Sequence, residues 1–294
     1  MRRHRMTARG VLSLLFALGL LTGTAAARTT AAKPIIFPVL APTHYIDDFG
    51  APRAGGPHQG IDIMAPKRSL ALAAEAGKIK FWTTSATAGC MLYLYGASGT
   101  MYEYIHLNND LTAKNDNRGK CVPGTAYAPG LKDGSKVWAG EPIGFVGDSG
   151  DANGIHAHLH FEVHPNGGKA VDGFPYLQAA THLLFTAQAG SPFTLELDGT
   201  VSKPTAASLQ IKLTGVHAYP SGEHQQLKRA LVLNVPSSAA IQSVNGSTRR
   251  ATTLLNARAG EPVKVWTMPA TASLKTERGD PLSLDAALVL LKTG

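Results

Sequence analysis

The sequence predicts a mainly β protein, an antiparallel β-sheet domain followed by a small all-β region. Short segments of β-branched and aromatic residues show the period-two alternation of half-buried strands. Glycine-rich turns separate them at short intervals. A single stretch, residues 175–188, carries the spacing of an amphipathic helix.

Taken in order, residues 1–27 read as a secretory signal peptide. Arg2, Arg3, Arg5 and Arg9 precede an apolar run at 11–21, and Ala25, Ala26 and Ala27 supply small residues for cleavage. That run is too short to span a bilayer as a stable helix, and no later stretch is long and apolar enough to do so. The mature chain is therefore expected to be exported, with no membrane span. Residues 28–42, rich in Ala, Thr and Pro, read as a linker, and 43–190 as the main domain. Within it, 77–85, 90–97 and 100–107 are predicted strands, and Gly96 and Gly99 mark a tight connection. Residues 108–136 form a polar loop, and 136–147 return to strand character. Gly147, Gly150 and Gly154 then punctuate a loop ahead of His156. The predicted helix at 175–188 sets Leu177, Ala180, Leu184 and Phe185 on one face. Beyond it, 191–294 read as a small all-β domain, alternating at 194–197, 208–213, 230–235 and 263–266. Pro236, Asn245-Gly246 and Gly260 break that pattern.

Charge excludes one class of function. The formal net charge of +8 includes the four leader arginines. Residues 28–190 hold 13 basic and 13 acidic side chains, whereas 191–294 hold 11 and 7. The excess thus lies away from the histidine-bearing region, and a nucleic-acid protein would concentrate it there. Cys90 and Cys121, an even count in an exported chain, favour a disulfide over a metal pair, with two buried thiols as the alternative.

Two stretches carry chemistry: His58-Gln59-Gly60-Ile61-Asp62 and His158-Leu159-His160-Phe161-Glu162. In a strand, residues two apart share a face, so His158 and His160 would project together while Phe161 and Val163 face the core. Together the stretches offer nitrogen and oxygen ligands for one metal, with an imidazole left over to act as a base.

With Tyr104-Ile105-His106-Leu107, Asp48-Phe49-Gly50-Ala51-Pro52-Arg53 and Gly144-Phe145-Val146-Gly147-Asp148-Ser149-Gly150, these blocks resemble the M23 family of zinc metallopeptidases, the lysostaphin-type peptidoglycan endopeptidases. The blocks run in the family's order over residues 38–180. The resemblance implies one Zn2+ ion held by His58, Asp62 and His160. It implies His158 as catalytic base and His106 as the second catalytic histidine, stabilising the oxyanion or protonating the leaving amine. Ile105 stands where the family usually has a small residue. The implied reaction is attack of zinc-activated water on peptide bonds of bacterial cell wall, in a groove with walls from loops such as 108–135.

His156-Ala157-His158 is an alternative register, in which His156 is the base and His158 the ligand. The Phe161-Glu162-Val163 continuation favours His158 and His160, leaving His156 at the cleft rim. Glu162 is either a partner orienting a ligand imidazole or simply solvated. His164, next to Pro165, is expected to be structural, and His44, His182, His217 and His224 solvated. A non-catalytic wall-binding or amidase-activating protein on the same fold is the alternative function. The basic C-terminal region is a candidate surface for anionic wall polymers.

Overall fold

The computed structural model describes residues 34–187, 190–271 and 284–292. The leader expected at 1–27 lies outside the described residues. The first part of the chain contains β1 (Val39–Leu40), β2 (Pro52–Arg53), β3 (Gly56–Pro57), β4 (Ile61–Met64), β5 (Leu70–Leu72) and β6 (Gly77–Ser85). It continues with β7 (Gly89–Gly96), β8 (Met101–Leu107), β9 (Lys136–Val137), β10 (Pro142–Phe145), β11 (His158–His164) and a short helix α1 (Phe174–Gln178). Strands then follow without a further α-helix among the described residues: β12 (Pro192–Pro204), β13 (Ser208–Tyr219), β14 (Glu223–Asn234), β15 (Ala240–Asn245), β16 (Thr248–Ala251), β17 (Pro262–Thr267), β18 (Ala270–Thr271) and β19 (Leu284–Lys292). The chain is mainly β, as its alternation predicts.

A six-stranded sheet, in the order β4-β11-β8-β7-β6-β9 and antiparallel throughout, carries the histidines. One face is apolar: Ile61, Ile63, Leu92, Leu94, Tyr102, Tyr104, Leu159, Phe161 and Val163 are buried in one core. Behind it lies a three-stranded sheet, β1-β5-β10. The Tyr104 hydroxyl ties the two sheets, donating to the Leu72 carbonyl (2.9 Å) and accepting from the Ala74 N–H (2.8 Å).

The segment read as a linker is structural from Ile35 onward. Ile35, Ile36, Phe37, Val39 and Leu40 are buried, and β1 pairs with β5. The Ala, Thr and Pro around this apolar run hide it in a composition average. Alternation makes β1 and β5 two-sided. Val39 and Ala71 belong to the first core, whereas Leu40 and Leu72 belong to a second core with Leu195, Leu197, Ile211 and Val265. In the second core, β14-β13-β12-β17-β19 close into a ring, because β19 also pairs with β14, and β15-β16 extend from β19.

The predicted helix is shorter than its spacing suggests. It ends at Gln178, and Thr181 instead exchanges backbone hydrogen bonds with Ile35 and Phe37 (2.8 and 2.9 Å). Pairing with an extended segment outcompetes helix propagation here, and Leu184 joins the second core.

Candidate metal centre

The site is built on the face of the six-stranded sheet opposite the core. Asp62 sits directly across from His160 in the β4–β11 ladder, and Ile105 flanks His160 on the other side. His58 enters from the segment before β4. The chain passes so close to His160 at Gly60 that a Cβ there would lie 2.7 Å from His160 Nε2 and from the Phe161 carbonyl. Only a residue without a side chain allows that approach.

His106 reaches the same face through an irregularity. Tyr102 and Tyr104 point to the core, so strict alternation would send His106 there as well. A bulge opposite Cys90–Leu92 adds a residue to β8, and His106 adopts φ 60°. The bulge re-aims its ring and returns Leu107 to the core.

Each of the four rings has one nitrogen held by a fixed group. His58 Nδ1 is 3.0 Å from the Asp48 carbonyl, His158 Nδ1 2.9 Å from the His156 carbonyl, and His106 Nδ1 2.9 Å from the Ser149 carbonyl. His160 Nε2 is 2.9 Å from Glu162 Oε1. The second nitrogens converge. His58 Nε2 and His160 Nδ1 lie 2.9 Å apart, each 3.1 Å from Asp62 Oδ1. Two lone-pair nitrogens and a carboxylate oxygen this close repel one another unless a proton or cation lies between them. These three ligand atoms lie within 4.8 Å of one another, a donor set that suits zinc. His158 Nε2 stands slightly aside, 3.7 Å from Asp62 Oδ1, and its ring centroid is 5.0 Å from that of His106.

Electrostatics follow the same geometry. Burial opposes ionisation of Asp62, but hydrogen bonds from His160 and His58 prevail and hold its carboxyl well below the usual range. Burial also opposes charge on His160, yet Asp62 and Glu162 raise it to about 9. Glu162 is buried and hydrogen-bonded to His160 and His164, which take it down to about 2 against the cost of desolvation. Burial, then the charge of His158, lowers His106 to about 4.

The structure thus brings His58, Asp62, His160, His158 and His106 together, with Glu162 buried on His160. It places His156 outside the cluster, where its side chain is exposed and only its carbonyl contributes. His164 is buried with Nδ1 on the Gly168 carbonyl, while His44, His182 and His224 are exposed and His217 is half-buried. Sequence reasoning missed the role of Asp48. Its carbonyl meets His58, its Oδ1 accepts the Asp62 N–H (3.3 Å), and its Oδ2 pairs with Arg53 (2.9 Å). Arg53 also reaches Asp62 Oδ2 at 2.9 Å. The signal was the Asp48-to-Arg53 block itself, which carries no metal-ligand spacing.

A groove of about 440 Å³ opens over the cluster. Its walls come from residues 53–59, 87–88 and 151–155, and 108–135 contributes none. That loop is pulled away instead. Buried Asp110 pairs with Lys67 (2.6 Å) and accepts the Asp116 and Asn117 N–H groups, and the Cys90–Cys121 disulfide pins the far end.

No family model matches the chain. Among solved structures it is similar to the catalytic domain of lysostaphin, an antimicrobial peptidase from Staphylococcus simulans, with 23% identity, 48% of this chain and 89% of that one covered, and a TM-score of 0.32. It is similar to the catalytic domain of a mutant of the prophage-encoded M23 protein EnpA from Enterococcus faecalis, at 23% identity, 45% and 88% coverage, and a TM-score of 0.33. A zinc-containing peptidase from Vibrio cholerae aligns at 23% identity over 48% of this chain, with a TM-score of 0.35. The chain spans 39% of that protein's length.

Proposed function

We propose that this chain is an M23-type zinc endopeptidase that hydrolyses peptide bonds in bacterial peptidoglycan. The observation that carries the proposal is the convergence of His58 Nε2, His160 Nδ1 and Asp62 Oδ1, with His158 and His106 beside them on one open sheet face. His58, Asp62 and His160 would hold the zinc. Once bound there, the ion would polarise the substrate carbonyl and lower the pKa of water to about 7.

The remaining chemistry belongs to the chain. His158 has Nδ1–H fixed on a carbonyl, which turns the Nε2 lone pair toward the groove as proton acceptor. His106, held the same way on Ser149 and kept neutral by burial, faces the groove with its Nε2 lone pair. It would take up a proton there as negative charge develops on the substrate, and would then donate to the oxyanion or the departing amine. Asp48 and Glu162 orient the ligand rings from behind.

In this reading 43–190 form the catalytic region, 191–294 an accessory region, and the leader at 1–27 delivers the enzyme to its substrate outside the membrane. The test is digestion of purified peptidoglycans of differing bridge chemistry, with mass analysis of the fragments, for wild type and His158→Ala, zinc-loaded and chelated. Zinc-dependent fragments from wild type alone are expected. Equal release by both proteins would reject the catalytic assignment of His158, and release by neither would favour a non-catalytic wall binder.

A further inference from the structure

The face that bears the histidines extends beyond them. Cross-strand register carries it from Asp62 on β4 to His160 on β11 and Ile105 on β8. Two more rows run alongside: Glu162–Glu103–Tyr93–Lys80 and His164–Met101–Tyr95–Lys78. Trp82 stands across from Met91 at the β6 end of the metal-site row. Residues opposite one another on paired strands share a face. The metal centre and the three rings of Trp82, Tyr93 and Tyr95 therefore lie on one continuous surface.

Exposure rises along it. His158 is 3% exposed, whereas Trp82 and Tyr95 are 44% and 49% exposed. Trp82 and Tyr93 have centroids 6.0 Å apart, Tyr93 and Tyr95 6.2 Å. Leaving two large aromatics this open has a cost that a bound ligand would recover. Charged Lys78, Lys80 and Glu103 lie among the rings, which argues against the charge-depleted centre of a protein interface. A pyranose fits better: its C–H face carries slight positive charge suited to the π-face, and its oxygens can accept from Lys78. Lys80 is drawn to Asp133 instead (2.8 Å).

Spacing links the two ends. Strands lie about 4.8 Å apart, so β6 stands roughly 14 Å from β11. At about 3.5 Å per residue, that gap is roughly four residues of extended peptide. We infer that the Trp82–Tyr93–Tyr95 face docks the glycan strand of the polymer whose attached peptide is cut at the histidines, an inference resting on the peptidase reading above.

The test compares wild type with Trp82→Ala/Tyr95→Ala and with Trp82→Phe in two arms. Calorimetry with peptide-free glycan strands reads the platform whether or not the protein is a peptidase. The double variant should bind roughly tenfold more weakly, and Trp82→Phe should keep most of the affinity. Kinetics of the zinc-loaded enzymes on intact sacculi should show KM raised by a similar factor with kcat unchanged. Turnover of a sugar-free cross-linked peptide should be the same for all three. Unchanged glycan affinity and KM in the double variant would overturn the proposal. So would a wild-type dimer that the double variant dissociates in sedimentation, since the face would then be an interface between copies.

Discussion

At the residue scale, the pattern of held nitrogens decides which groups are available for chemistry. Asp48→Ala keeps the carbonyl that meets His58 but removes the carboxylate that accepts the Asp62 N–H and pairs with Arg53. It should therefore weaken zinc binding by roughly 10-fold, read by competition with a chromophoric chelator. Loss below threefold would deny it a positioning role. Gly60→Ala should likewise lower zinc occupancy, because the added methyl group meets His160 Nε2 and backbone at 2.7 Å. In the metal-free protein His160, lifted to about 9, is an imidazolium at neutral pH. Zinc binding at pH 7.5 should therefore release about one proton. Calorimetry in buffers of different ionisation enthalpy counts it, and a count of zero contradicts the geometry. The i, i+2 placement of His158 and His160 was legible in sequence, because β-alternation is local. The part played by Asp48 was not, since it acts on His58 through a backbone carbonyl that any residue possesses, and on Asp62 through a carboxylate contact 14 positions away that follows no periodic pattern.

At the element scale, the bulge in β8 and the disulfide do most of the positioning. Alternation alone would bury His106, so its place beside His158 depends on a register shift between two strands, which no single-strand pattern contains. The Cys90–Cys121 bond closes a loop with a sequence separation of 31 residues. Replacing both cysteines by serine should lower unfolding stability by about 3–4 kcal/mol on the loop-entropy estimate, measured by denaturant titration. Tyr104→Phe strands the Ala74 N–H and the Leu72 carbonyl between sheets and should cost about 1–3 kcal/mol. The helix forecast at 175–188 failed beyond Gln178 because a distant partner, the 35–37 segment, claimed the backbone of Thr181.

At the scale of the whole molecule, the two cores are joined through β1 and β5. Truncation after residue 190 would expose Ile36, Leu40 and Leu72, which are buried with residues of the last hundred. The fragment should melt well below the full chain and bind a hydrophobic dye, and an unchanged melting temperature would show the two regions to be independent. Acid sensitivity follows from His106, lowered by burial to about 4 from its usual 6.5. Between those values the unfolded chain binds more protons, so this contribution is full above pH 6.5 and is lost as pH falls toward 4. In metal-free protein, His106→Gln should flatten stability across that window relative to wild type.

The sequence by itself determined the β character, the cluster of histidines on one strand face, and the motif spacing that resembles a zinc peptidase. These are properties of neighbours along the chain, set by side-chain type and a two-residue period. Tertiary structure alone decided that the 35–40 segment is core, that loop 108–135 leaves the groove, and that His106 turns toward His158. It also extended the histidine face to Trp82, Tyr93 and Tyr95. Each of those outcomes depends on pairing between segments far apart in the chain, whose register is set by packing and is written in no single stretch.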